Sequence, residues 1–468
     1  MGIFVDADNP VPQLGQAGRR DASDIPKADH GNRDARRWKN LKSRDHLRQY
    51  AMAEIRRWIV LLHCKLNRRM KILWISPFLL HPTQKGAQIR SLGTLAQLHR
   101  RHEVHFASMQ LPGQEDGVAR TAEYCTRCYR IPHSLPRRRS LQFVPQFLGS
   151  FVSPLPLTIS RDRNPAMRRL LDRLCADASF DVIVCDFLSS AVNLPDPSRA
   201  VLFQHNVETI IWRRLSEQAP TALHRWYFAG QARRMEEFER RICSAARHVI
   251  AVSGIDAGRM KEMFGIERVS AVPTGTDVGY FRRPAGCPLV HDLVFVGSMD
   301  WIPNIDGVKW FVQEVMPLIR RKRPATSLVI AGRGPGPEIQ ALAGGNSGIT
   351  VTGTVADIRP YLWESRVSVV PLRIGGGTRL KIYEAMAASA PVVSTSIGAE
   401  GLDYREGQDL LTADEPEDFA RKCLQLLENE DRRSAQAAAA FEFVNSRYSW
   451  ERVASDFERI LSGARGAV

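Results

Sequence analysis

From Met70 onward the chain alternates short apolar runs with amphipathic stretches. Ile72-Leu73-Trp74-Ile75, ended by Ser76-Pro77, predicts a buried strand, and the Lys85-Gly86 turn leads into a helix carrying Leu92, Leu95 and Leu98. Glu103-Val104-His105-Phe106-Ala107 predicts the next strand. Strand, crossover helix and strand within about 40 residues form a βαβ unit, which implies a parallel sheet. Further strands are predicted at 181–185, 200–204 and 248–253, with helices over 164–176 and 222–246. A second series follows, with strands at 293–296, 328–331, 349–352, 367–370 and 391–394 and a helix over 304–322. Each strand is a Val/Ile/Leu run flanked by Gly or Pro, as in strands covered on both faces.

Between the two series, residues 273–291 hold three prolines and three glycines and read as a hinge. The expected fold class is therefore α/β: two facing Rossmann-like, doubly wound domains with a cleft between them. The domains are expected at 70–286 and 287–448, with a C-terminal helix over 449–464 packing back on the first. Ligands of such sheets bind beyond the carboxyl ends of the strands. The stretch 135–159 breaks the rhythm. It sets Arg137-Arg138-Arg139 beside Phe143, Phe147 and Phe151 and predicts a long functional loop that rests on an anionic membrane.

Composition narrows the class. The 468 residues are 44% hydrophobic and 25% charged, the profile of a globular chain of more than one domain and not of a disordered, collagen-like or multi-span protein. No run reaches the roughly 18 apolar residues of a membrane span. Eight cysteines are too sparse for a disulfide scaffold and fit a reducing compartment. A cytoplasmic location is expected, at most peripheral at the inner face of the cytoplasmic membrane. The net charge of +15 is uneven, since residues 1–69 carry 15 Lys/Arg against 8 Asp/Glu. Residues 1–32 are poor in aromatics and read as disordered. Leu47, Tyr50, Ala51, Ile55, Trp58, Ile59, Leu62 and Leu66 then form a helical stripe with basic neighbours. Residues 1–69 thus read as an N-terminal extension, the fold itself beginning at Met70.

The chemistry concentrates in glycine-bearing loops at strand ends. Gly375-Gly376-Gly377-Thr378-Arg379-Leu380-Lys381 follows a strand and opens a helix. Glycines let a ligand approach the backbone, and the helix start offers N–H groups and positive dipole. Arg379 and Lys381 are disfavoured there by that same dipole, so an anion such as a diphosphate accounts for them. Glu384, a turn deeper, can accept two hydroxyl hydrogen bonds, which suits a ribose. Gly297-Ser298-Met299-Asp300 and Gly332-Arg333-Gly334 are further strand-to-helix turns at the same cleft. The second is a poor dinucleotide fingerprint, because its spacing is wrong and prolines intervene. His205 stands at a strand end of the first half. Cys125 and Cys128 have no second Cys/His pair nearby, so no metal is expected.

These landmarks in this order resemble the GT-B glycosyltransferases, and within them glycosyltransferase family 4, over roughly 70–465. The resemblance rests on 269–277 with Thr274-Gly275-Thr276-Asp277 and Phe281, on 293–298, 328–334, Val351-Thr352-Gly353-Thr354-Val355, Tyr383-Glu384-Ala385-Met386-Ala387, and Pro391-Val392-Val393-Ser394-Thr395 followed by Gly398-Ala399-Glu400-Gly401. The Gly-Ser-Met-Asp-Trp and Gly-Gly-Gly-Thr-Arg-Leu-Lys variants look most like a bacterial subgroup found with exopolysaccharide and exosortase gene sets.

The resemblance implies a retaining, metal-independent transfer of a hexosyl residue from a nucleotide-diphosphate sugar, UDP- or GDP-linked, with no other cofactor. The acceptor it implies is a glycan or a polyprenyl-linked molecule. By the same resemblance Glu384 binds the ribose, Thr354 and Val355 border the base, His205 approaches the donor sugar, and Gly86 lies in the loop that meets the diphosphate or acceptor. Two places depart from the family. The first of its paired glutamates falls on Gly376, and its usual Arg and Lys in the second domain fall on Ser298 and Pro303. Arg379 and Lys381 are the expected replacements. A sugar-nucleotide epimerase of the same fold, or a non-catalytic binder of a membrane surface or nucleic acid, are the alternatives. No nucleic-acid motif interleaves aromatics with the basic residues.

Overall fold

The computed structural model describes residues 69–465 apart from 84–85, 137–139, 178, 218, 220, 345–347 and 375–379. The expected 47–66 helix and the Arg137–Arg139 triplet lie outside the described residues.

Seven parallel strands make the first sheet: β1 (Lys71–Ser76), β2 (Glu103–Gln110), β3 (Arg127–Pro132), β4 (Val182–Asp186), β5 (Ala200–Phe203), β6 (His248–Ala251) and β7 (Val269–Ala271), in the order β3-β2-β1-β4-β5-β6-β7. Six make the second: β8 (His291–Val296), β9 (Leu328–Ala331), β10 (Ile349–Gly353), β11 (Ser365–Val370), β12 (Val392–Ser394) and β13 (Leu411–Thr412), in the order β10-β9-β8-β11-β12-β13. The strand order reverses between β1 and β4 in one sheet and between β8 and β11 in the other. Those crevices are where ligands bind in wound sheets. Central strands such as β4 and β9 are buried at every residue, which is why they read as unbroken apolar runs.

The C-terminal helix Trp450–Gly463 belongs to the first sheet's core. Phe457 stacks on Trp74 at 5.6 Å and meets Phe203 edge-on at 5.0 Å. Trp450 lies against Gly93 and Gly275, where a Cβ atom on either would come within 2.4 Å of the indole. The chain crosses between the sheets twice, and the crossovers run side by side, with Thr276 N–H donating to Tyr448 O at 2.7 Å.

Two expectations are corrected. The 135–159 stretch is not a long loop, because it folds into a turn at Leu141–Phe143 and the helices Val144–Val152 and Leu157–Arg161. Phe147 and Phe151 anchor it, each within 5.3 Å of Tyr227 on the Ala222–Ala245 helix, and Pro145 falls in a first turn where its missing N–H costs nothing. The 304–322 helix is interrupted. Ile302–Trp310 passes through a wide π turn at Phe311–Val315 into Met316–Lys322, whose Pro317 cannot donate to the preceding turn.

Candidate active site

At the second sheet's switch point, Gly297 follows β8 and faces the Leu380–Ala387 helix. A Cβ on Gly297 would lie 2.7 Å from Lys381 Nζ, so the glycine leaves the space that the ammonium occupies. Lys381 Nζ donates to Asn304 Oδ1 at 2.8 Å and sits 4.6 Å over the Phe295 ring. Asn304 Nδ2 in turn donates to Ser298 O at 2.8 Å. Lys381 therefore stands against Gly297 and Asn304, the chain neighbours of Ser298 and Pro303, where the resemblance lacks its two cations. The loop after β9 is pressed against this one, since a Cβ on Gly332 would meet Gly297 O at 1.8 Å.

Glu384 lies one turn deeper on the Lys381 helix, half-buried, and its carboxylate accepts no hydrogen bond from a described residue. Burial raises it from an ordinary 4.5 to about 7, with Lys381 pulling the other way. Thr354 and Val355 follow β10, beyond Gly353, whose φ of +68° suits glycine. Gly375, Gly376, Gly377, Thr378 and Arg379 lie outside the described residues.

The first sheet's strand ends carry a buried network. His205 follows β5, and its Nε2 lies 2.7 Å from Asp186 Oδ1, at the end of β4. Its Nδ1 lies 3.0 Å from Arg90. Asp186 accepts and Arg90 can only donate, so the network assigns the proton to Nε2. Burial, with the Arg90 charge, holds the imidazole below its usual pKa despite Asp186. Trp74 Nε1 donates to the second Asp186 oxygen at 3.0 Å, and Arg90 Nε donates to Thr274 Oγ1 at 2.6 Å. Burial lowers Arg90 to about 10, which leaves it cationic at neutral pH. Arg90 and Ser91 sit on the Gly86–His99 helix, which opens at Gly86 with free space around its Cα.

Phe187, with φ of +65°, packs on this network, its ring 4.2 Å from that of His205. A bulky residue in that region is strained, and such strain gathers at functional sites. Glu239 braces the loop from below. Fully buried, it accepts from Gln204 Nε2, the Glu208 and Thr209 N–H groups and Thr209 Oγ1 at 2.6–3.0 Å. Sequence reasoning missed Arg90, Asp186, Phe187 and Glu239. Only Asp186-Phe187, at the end of a predicted strand, carried a positional signal. Among the described residues no group of three His, Cys, Asp or Glu is placed to hold a metal ion.

Two parallel wound sheets of seven and six strands have the architecture of the GT-B glycosyltransferases. A family model described as Glycosyltransferase Family 4 matches residues 85–280, and one described as Glycosyl transferases group 1 matches 290–429. The chain belongs to glycosyltransferase family 4. It is 26% identical over 318 residues to a GDP-mannose-dependent alpha-(1-6)-phosphatidylinositol monomannoside mannosyltransferase of Mycobacterium tuberculosis, covering 58% of this chain and 82% of that one. It is 23% identical over 301 residues to an uncharacterized protein of the cps region of Klebsiella pneumoniae, covering 62% and 76%. Among solved structures, HepE of Anabaena in complex with UDP and glucose aligns with a TM-score of 0.53 at 14% identity, covering 84% of this chain and all of that one. Sucrose-phosphate synthase of Thermosynechococcus elongatus aligns at 0.56 and 17%, covering 84% and 98%. These structural likenesses are likenesses of fold. No helix among the described residues is long and apolar enough to cross a membrane.

Proposed function

We propose that this glycosyltransferase is a retaining, metal-independent hexosyltransferase that uses a UDP- or GDP-linked sugar and acts on a glycan or lipid-linked acceptor in exopolysaccharide synthesis. The observation that carries the reading is the Lys381 ammonium, seated in the space Gly297 leaves open, one turn from the half-buried Glu384. A ribose diol fits Glu384, because two donated hydrogen bonds supply what its carboxylate lacks. The diphosphate falls to Lys381 and to Arg379 with the Gly375–Gly377 backbone and Thr378, while Thr354 and Val355 border the base. As the bond from C1 to the diphosphate breaks, negative charge grows on the leaving oxygen and an oxocarbenium-like sugar forms. Positioned cations stabilise that oxygen most at the transition state. The acceptor hydroxyl attacks from the same face and gives its proton to the departing phosphate oxygen, so configuration is kept. His205 has both nitrogens engaged, and its contribution is to present the loop before Asn206 and Val207 to the sugar.

Steady-state kinetics on Arg379→Ala and Lys381→Ala test this. Each is expected to lower kcat by about 10²–10³, roughly 2.7–4 kcal/mol. Wild-type kcat and donor KM in both single variants and the double variant would place the clamp elsewhere.

A peripheral position at an anionic membrane is supported by the Val144–Val152 helix. Its Phe147 and Phe151 pack against Tyr227, Phe151 also stacks on the 64% exposed Trp226, and Leu141, Leu148 and Val152 are 90%, 60% and 87% exposed. Residues 124–161 carry six arginines and no acidic residue. Basic residues near such a surface contribute about 1 kcal/mol each, weakening with salt. Co-sedimentation with phosphatidylglycerol vesicles is expected to fall in Leu148→Ser with Val152→Ser. Unchanged sedimentation would remove this placement.

A further inference from the structure

The family's cation after β8 is replaced here by Ser298, yet the structure brings a guanidinium to that place from another strand. Arg333, two residues past β9, donates from Nε to Ser298 Oγ at 2.8 Å. Ser298 Oγ donates onward to Asp300 Oδ1 at 2.6 Å, and Arg333 Nε stands 3.5 Å from Asp300 Oδ2. The arrangement is fixed from the backbone. Met299 N–H donates to Arg333 O at 2.8 Å, and Gly332 has no Cβ because Gly297 O fills that space. Gly334, at φ of +67°, passes next to the Asp300 side chain. The Arg333 side chain is 62% exposed, and its terminal nitrogens make no hydrogen bond to a described residue. Lys381 Nζ lies against Gly297 of the same turn.

We propose that Arg333 is a donor-binding cation of this enzyme, turning its terminal nitrogens to the diphosphate while Ser298 and Asp300 hold it in place beforehand. The inference rests on the donor reading above. Asp300 then acts as a positioning residue: its carboxylate holds the guanidinium until a phosphate, which offers more acceptor oxygens and more charge, takes its place. An Arg suits the task because its planar fork can meet two phosphate oxygens at once. A sequence reading passes over Arg333, because its loop follows a different strand from the one whose cation it replaces.

Calorimetric binding of UDP, GDP and the nucleosides uridine and guanosine to the full chain, with Arg333→Ala, Arg333→Lys and Asp300→Ala, tests it. A hydrogen bond to a charged group is worth about 1.5–3 kcal/mol, so Arg333→Ala is expected to weaken the preferred diphosphate by about 10–100-fold and leave its nucleoside unchanged. Arg333→Lys is expected to recover part of that loss, and Asp300→Ala, which removes only the positioning of the guanidinium, to weaken the diphosphate a few-fold, less than Arg333→Ala does. Unfolding midpoints of all three should match wild type, since the side chains are exposed. If wild type binds the diphosphate and Arg333→Ala binds it equally, the inference fails and the donor reading stands. If wild type binds neither diphosphate, both fail.

Discussion

His205, Asp186 and Arg90, at the strand ends of the first sheet, are 5%, 0% and 4% exposed. The Arg333 and Asp300 side chains, at the strand ends of the second, are 62% and 54% exposed. The two places carry similar chemistry, a carboxylate beside a guanidinium, in opposite solvents. In the first, Asp186 accepts from the imidazole and the indole while Arg90 donates to the imidazole and to Thr274, so removing Asp186 strands donors in a medium that cannot solvate them. In the second, water already solvates both charges and a ligand can exchange with it at little cost. Buried polar groups here hold a loop in shape, whereas exposed ones stay available for binding.

The sharpest break of this comparison is Asp186→Ala. It leaves Arg90 buried without the carboxylate that most favours its charge, Trp74 Nε1 without an acceptor, and His205 Nε2 with only the long 3.4 Å contact to Ser91 Oγ. Loss of one partner from a buried pair costs about 3–5 kcal/mol. Urea unfolding of Asp186→Ala should show that loss, while Asp300→Ala unfolds at the wild-type midpoint. Equal midpoints for Asp186→Ala and wild type would mean the first site is not closed.

Gly332→Ala comes next, because it tests the close approach of the loops after β8 and β9 at the open site. The added methyl would sit 1.8 Å from Gly297 O, and backbone cannot swing aside as a side chain can. We expect about 3 kcal/mol of destabilisation, the upper part of the range for overpacking. Gly86→Ala, with open space around it, is the control and should stay within about 0.5 kcal/mol of wild type. If both unfold alike, the loops after β8 and β9 are not pressed together.

The fold was largely legible because buried parallel strands advertise themselves. β9 falls where the Val/Ile/Leu pattern placed it, and β1, β8 and β11 extend the predicted cores by one or two residues. β3 was not legible. As an edge strand it reads Arg-Cys-Tyr-Arg-Ile-Pro, its charges facing water and not a second layer. Position along the chain also explains what was legible of the candidate site. Lys381 and Glu384 share one helix, so spacing alone relates them. Arg90 with His205, and Arg333 with Ser298, are joined by pairing across different strands and helices, 115 and 35 residues apart. Local pattern has no access to that pairing. The 135–159 segment was misread because its phenylalanines, taken for a surface feature, find Tyr227 in a distant helix.

The finest test compares two glutamates, both raised by burial. Glu239 has four donors around it, and Glu384 has none among the described residues. For Glu384 the folded value, about 7, lies above the ordinary 4.5, so the folded protein holds the proton more tightly than the unfolded chain does. The stability this contributes is complete below about pH 4.5 and is lost as pH rises through about 7. Glu384→Gln keeps a neutral group at every pH. It should therefore match wild type near pH 4 and exceed it by about 2 kcal/mol at pH 8, a figure reduced for the half-open setting. A ribose diol donating to Glu384 reverses the balance, because hydrogen bonds to the carboxylate favour its ionised form. UDP or GDP binding should then release up to one proton near pH 6, seen as a calorimetric enthalpy that changes with the buffer's ionisation enthalpy. The release should vanish in Glu384→Gln, a comparison that cancels titration of the nucleotide's own phosphate. Equal proton release in the two proteins would show that the ribose is held elsewhere, and Glu384 would join Glu239 as a structural carboxyl.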